Sequence, residues 1–156
     1  MSWDIEDVAW THPSAEALRA AQRRELDERY GSDDHEPGEA PSADDVPVFV
    51  VARDEQGEAV ACGGLRPLDD SVLGPGVIEV KRMFVARGAR GSGVSTAVLR
   101  ALEERARGRG AVRLVLETGT LQPDAIRFYT REGYTPIPLF GGYVGSEHSV
   151  CFALAL

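Results

Sequence analysis

Residues 78–96 read Ile78-Glu79-Val80-Lys81-Arg82-Met83-Phe84-Val85-Ala86-Arg87-Gly88-Ala89-Arg90-Gly91-Ser92-Gly93-Val94-Ser95-Thr96. The first eight alternate apolar and polar, the period of a half-buried strand. That places Glu79, Lys81 and, unless a bulge intervenes, Met83 on one face. A loop of glycine and arginine follows over 86–93. Val94, Ala97, Val98, Ala101 and Leu102 then recur at helical spacing, with Arg100–Glu104 and Glu103–Arg107 as i,i+4 pairs on the exposed side. The first amide groups of a helix have no partner inside it, and glycines let a phosphate approach them. With Arg82, Arg87 and Arg90 alongside, the loop is suited to a phosphate-bearing ligand.

Upstream, Trp3 to Trp10 reads as a first strand and Pro13 to Tyr30 as an amphipathic helix that Gly31 ends. Ser32 to Asp45 is acidic and rich in turn formers, the pattern of a mobile loop. Val48–Arg53 and Glu58–Arg66 form a hairpin around the turn Asp54–Gly57, and Asp69–Gly76 is another turn. Downstream come a buried strand over Val112–Glu117, a short helix over Pro123–Arg131 and strands over Tyr134–Leu139 and Ser149–Leu154. Hairpin strands first, then strand–helix–strand–helix–strand, indicate a mixed α/β chain of one domain over residues 1–156.

Composition narrows the function. The 156 residues are 43% hydrophobic with a net charge of −8, which disfavours nucleic acid. No apolar run is long enough to span a membrane, and the acidic start is unlike a signal peptide, so the expected location is cytoplasmic. Cys62 and Cys151 read as buried thiols, and no closely spaced cysteine or histidine pair suggests a metal. His12, His35 and His148 are isolated. His148, just before the last strand, could reach an acceptor but reads as a surface residue. Residues 1–58 hold 16 acids against five arginines, while residues 59–156 hold nine acids against 12 cations.

Among phosphate-binding loops, the P-loop is excluded, because Val94-Ser95 stands where Lys-Ser/Thr is required. A dinucleotide fingerprint fits Gly91 and Gly93, with Glu117 as the distant acid. Yet Thr96 occupies the third glycine position, and a hairpin precedes the loop. A glycine-rich turn that binds nothing also stays open.

Arg90-Gly91-Ser92-Gly93-Val94-Ser95 resembles the acetyl-CoA loop of the GNAT N-acetyltransferase superfamily, R/Q-x-x-G-x-G/A, with serine in the last place. Gln122-Pro123-Asp124-Ala125-Ile126-Arg127-Phe128-Tyr129-Thr130-Arg131-Glu132-Gly133-Tyr134 resembles a second family pattern, N-x-x-A-x-x-x-Y-x-x-x-G-F/Y, with glutamine for asparagine. Leu116-Glu117-Thr118-Gly119 also looks like a bacterial subgroup. The likeness covers residues 46–156 well and the first 45 poorly.

The resemblance implies a mostly antiparallel twisted sheet, splayed between two parallel strands and flanked by about four helices. It implies acetyl-CoA as cosubstrate, bound by Met83, Phe84, Val85, Arg90, Gly91, Ser92, Gly93, Val94, Ser95, Gln122, Ala125 and Tyr129, and no metal. Tyr129 would be the general acid and Glu79 the general base. On the acceptor side it points to Tyr30, Glu79, Lys81, Glu117 and Tyr143. The implied reaction is direct attack by a primary amine of a small molecule or peptide in a ternary complex. The acidic first half suggests a cationic acceptor. A GNAT-shaped module that senses acyl-CoA without turnover is the alternative, and a homodimer is compatible with either.

Overall fold

The computed structural model describes residues 3–33 and 36–156. Seven strands form one sheet in the order β1-β2-β3-β4-β5-β7-β6. They are β1 (Asp4–Asp7), β2 (Val48–Arg53), β3 (Ala59–Pro67), β4 (Val77–Val85), β5 (Arg113–Gly119), β6 (Thr135–Ile137) and β7 (Ser149–Ala155). Every neighbouring pair is antiparallel except β4 with β5. Four helices complete the chain: α1 (Pro13–Tyr30), α2 (Asp70–Leu73), α3 (Val94–Gly108) and α4 (Pro123–Arg131). This is the mixed, mostly antiparallel GNAT-type architecture expected.

Proline at the first position starts both α1 and α4, where its missing N–H costs nothing. His12 caps α1 by accepting from the Ser14 amide at 3.1 Å. Three buried clusters pack on the sheet, one of them around Val115, Phe140 and Tyr143. Val98, Leu99 and Leu102 of α3 and Tyr129 of α4 cover one face with Ile78, Val80 and Leu116. On the other, Ala15 and Leu18 of α1 pack on Phe49, Val51 and Cys62.

Strand β4 contains the irregularity that matters most. Its partners in β3 run Lys81–Gly64 and then Phe84–Cys62, so Arg82 and Met83 oppose Gly63 alone. This is a β-bulge, and Arg82 has a positive φ of 59°. The extra residue reverses the side-chain alternation. Ile78 and Val80 point into the α3 core, and so do Met83 and Val85, while Phe84 packs toward α1. Met83 therefore does not share a face with Glu79 and Lys81.

Four further expectations are corrected. The turn over 69–76 contains α2, capped by the Asp69 carboxylate on the Ser71 amide. β6 is three residues long rather than six, because only Thr135–Ile137 pair with β7. Glu103 is not on the exposed side: it is 3% exposed, accepts from Tyr134 Oη at 2.9 Å and pairs with Arg100 rather than Arg107. The acidic segment is tied down, with Glu36 bound to Lys81 and Arg82, and Asp45 3.5 Å from Arg66. Asp34 and His35 lie outside the described residues. Both cysteines are buried and free, and burial pushes their thiols up, Cys62 to about 12 and Cys151 to about 11.

Candidate active site

β4 and β5 pair only from Val77–Glu79 to Arg113–Val115, and beyond that the parallel strands part. The gap is a narrow cleft of about 90 Å³. Val80, Lys81 and Met83 line one side, Leu116, Glu117 and Thr118 the other. Gln122, Ala125 and Tyr129 of α4 and Gln22, Leu26 and Tyr30 of α1 also border it. Gly119 allows this closure. A Cβ there would lie 1.6 Å from Tyr30 Oη, so any larger residue would make the Tyr30 ring turn away from its place at the end of β5.

The glycine loop stands at the start of α3. Gly93 caps the helix with φ 90°, and no side chain satisfies the first-turn amides. Cβ atoms at Gly88, Gly91 or Gly93 would meet nothing within 4 Å, so the loop faces open space. The arrangement offers amide donors and positive helix-end potential to an anion. Arg90 behaves otherwise than expected. Its guanidinium forks onto Glu25 at 2.8 and 2.6 Å, and Nε donates to the Val85 carbonyl at 3.1 Å. The side chain ties the loop to α1 and β4, and Ser92 Oγ is bound to the Ala89 carbonyl. Phe84 and Val85 are partly buried and pack their side chains against the α1 and α3 cores, and the Val85 carbonyl is taken by Arg90.

Glu79 is enclosed, at 1% exposure. Arg66 donates to Oε1 at 3.3 and 3.0 Å, Tyr143 Oη donates to Oε2 at 2.5 Å, and Lys81 Nζ is 3.7 Å away. Lys81 also donates to Tyr143 Oη at 2.9 Å and to Glu36 at 3.1 Å. Burial, then the charge and hydrogen bond of Glu79, push the Tyr143 phenol far above its ordinary value. Burial opposes ionisation of Glu36, but Lys81 and Arg82 outweigh it and hold the carboxyl below the usual range. These contacts join β3, β4, the 36–45 segment and the 141–143 turn. Glu79 and Tyr143 thus brace the sheet beneath the cleft rather than lining it.

Glu117 does line the cleft. Burial raises its carboxyl to about 7. The Ser149 hydrogen bond and Lys81 pull it down, while Glu36 and Glu79 push it up. A carboxyl that titrates near neutrality can take and release a proton at physiological pH. Tyr129 is 6% exposed, and burial alone pushes its phenol well above the ordinary value, so it stays protonated. One cleft therefore holds a carboxylate able to accept a proton and a phenol holding one. His148 is exposed, its ring 6.1 Å edge-on from Tyr30. Gln22, Arg66 and Ser149 went unassigned from sequence, and Glu36 counted only within the acidic segment expected to favour a cationic acceptor. Among the first three, only Gln22 carried a signal, on the apolar face of α1.

The sequence profile of the Acetyltransferase (GNAT) family matches residues 10–134. The chain belongs to that family. A GNAT identity agrees with a Klebsiella pneumoniae protein, provisionally named an acyl-CoA N-acyltransferase, that is 32% identical. Its structure aligns over 99% of this chain and 97% of its own, with a TM-score of 0.81. The IAA acetyltransferase of Bacillus cereus shares the fold at 17% identity, covering 99% and 100%, with a TM-score of 0.71. So does a GNAT acetyltransferase of Elizabethkingia anophelis with acetyl-CoA bound, at 16% identity, 99% and 98% coverage and a TM-score of 0.67. No curated protein matches the sequence. Among the described residues, no GNAT helix is long and apolar enough to cross a membrane, and no cluster of three or more His, Cys, Asp or Glu could hold a metal.

Proposed function

We propose that this GNAT protein transfers an acetyl group from acetyl-CoA to a primary amine of a small molecule or peptide, with both substrates bound at once. The observation that carries the reading is Glu117, a cleft carboxyl with its pKa raised to about 7, sharing that cleft with Tyr129. The residues suit acetyl-CoA. The open, uncapped start of α3 fits a pyrophosphate, and the gap between β4 and β5 fits an extended pantetheine arm. Gln122 and Ala125 border that gap. The Elizabethkingia relative, which binds acetyl-CoA on the same fold, supports this choice.

Acetyl-CoA supplies an activated thioester. Glu117, the cleft carboxyl that titrates near neutrality, takes the proton from the incoming ammonium, so that a neutral amine attacks. As the C–N bond forms and the C–S bond breaks, Tyr129 Oη delivers its proton to the sulfur, and the second proton shed by the new amide nitrogen returns to the phenolate. The Met83 amide, on the bulge, is the donor proposed for the carbonyl oxygen. Glu79 keeps a positioning role through Tyr143 and Lys81.

Release of free thiol from acetyl-CoA, measured with a mixed pool of primary amines, tests the reading. Thiol release that depends on an amine supports it. Tight acetyl-CoA binding with no release across the pool would favour a sensing module.

A further inference from the structure

A second cavity, about 550 Å³, lies beside the cleft between α1 and residues 36–41. One face of α1 walls it, with Glu16, Arg19, Gln22, Arg23 and Leu26 at helical spacing. Trp10 forms one end, and the Arg19 guanidinium stacks on its ring at 3.7 Å. Gln22, Leu26, Glu36 and Arg82 border both this cavity and the cleft. The volume suits a small molecule.

Two buried polar atoms on this wall have no hydrogen-bond partner among the described residues. They are Arg19 Nη1, a donor, and Gln22 Oε1, an acceptor. Gln22 is oriented by Nε2, which donates to the Met83 carbonyl at 2.9 Å, so Oε1 is its spare end. Burying such atoms unpaired costs free energy that a bound group can recover. Their polarities are opposite and their positions are one helical turn apart, roughly 5–6 Å between Cβ atoms. Arg19 calls for an anionic oxygen, and Gln22 calls for an N–H nearer the cleft.

We infer that this cavity is the acceptor site and that the acceptor is an amino carboxylate, an amino acid or a close derivative. Its carboxylate sits on Arg19 and its amine on Gln22 at the mouth of the cleft. Arg23 adds a second positive charge to the wall, against the carboxylates of Glu16 and Asp33 that also line the cavity. The inference rests on the acetyltransferase reading and names its substrate class. It differs from the expected cationic acceptor, and the Glu36 carboxylate beside the cavity is paired with Lys81 and Arg82. The products are an N-acetylamino acid and free CoA thiol, with the amine proton passed to Glu117.

Thiol release is measured with α-, β- and γ-amino acids, each beside its own carboxamide, in the wild type and in Arg19→Met and Arg19→Lys. The expected result is a preference for at least one amino acid over its amide, on the order of 10- to 100-fold in kcat/KM. That ratio collapses in Arg19→Met and falls partway in Arg19→Lys, which keeps the charge but loses the planar fork. Amides that match their acids, or a ratio unchanged in both variants, would overturn the inference. If no amine releases thiol, the acetyltransferase reading fails. Calorimetric titration of the same amino acids then judges the site alone. Saturable binding lost in Arg19→Met supports it, and no binding overturns it.

Discussion

Ser149 Oγ, at the start of β7, donates a 2.7 Å hydrogen bond to Glu117 Oε2 on the adjoining strand β5. It is the strongest influence holding the Glu117 carboxyl down against burial. If Glu117 is the base, kcat/KM should rise with pH through about 7 and level off above it. Ser149→Ala should move that rise to higher pH. Glu117→Gln should abolish it and lower turnover on the order of 10²- to 10⁴-fold. A pH–rate profile of the three proteins is the measurement. A rise that survives in Glu117→Gln would assign the base elsewhere.

The same carboxyl links stability to pH. Its folded value, about 7, exceeds the ordinary 4.5. Between those values the unfolded chain releases the proton while the folded protein keeps it, so the group's contribution to stability falls as pH rises. Below 4.5 both states are protonated and the term vanishes. Glu117→Gln should therefore match the wild type near pH 4 and exceed it at pH 8, as read by denaturant midpoints. An equal gap at both pH values would contradict the raised pKa.

Tyr129→Phe should retain acetyl-CoA binding and lose turnover on the order of 10²-fold. The ring packs against Tyr134 and Phe152 with centroids at 5.8 and 6.3 Å, so phenylalanine keeps the core filled. Equal turnover with the true acceptor would leave Tyr129 a packing residue.

Gly93→Asp should abolish acetyl-CoA binding through charge at the start of α3. Gly93→Ala isolates the backbone strain, since alanine must also adopt φ 90° but meets nothing within 4 Å. Alanine should weaken affinity far less than aspartate. Comparable affinity in a folded Gly93→Asp protein would move the pyrophosphate off this loop.

Glu79→Ala should cost about 1–3 kcal/mol, because it removes the carboxylate that Arg66 and Tyr143 bind, while Arg66 keeps Asp45 and Lys81 keeps Glu36. Denaturant unfolding reads the loss. The milder Glu79→Gln should keep the pH limb near 7, whereas loss of that limb would restore Glu79 as base.

The helices α1 and α4 were legible to the residue, because proline starts each and apolar spacing carries the rest. Tyr129, Gln122 and Glu117 were legible as cleft residues through their motifs. The enclosure of Glu79 was not. Glu79 and Glu117 are both strand glutamates, and only tertiary packing decides which is enclosed by cations and which meets the cleft. Charge counting likewise could not foresee that Glu36 and Asp45 pair with residues more than 20 positions away. The bulge left no signature, because a positive φ at Arg82 has no glycine to announce it. Helix α2 is a single turn, too short to show a period.

That bulge makes one residue of β4 dispensable to its packing. Removing Arg82 would restore one-to-one pairing, with Met83 opposite Gly63 and Phe84 still opposite Cys62. The faces would not change: strict alternation after Lys81 still sends Met83 toward α3 and Phe84 toward α1. What the extra residue adds is therefore the local kink at the cleft, not the assignment of side chains to the α3 and α1 cores.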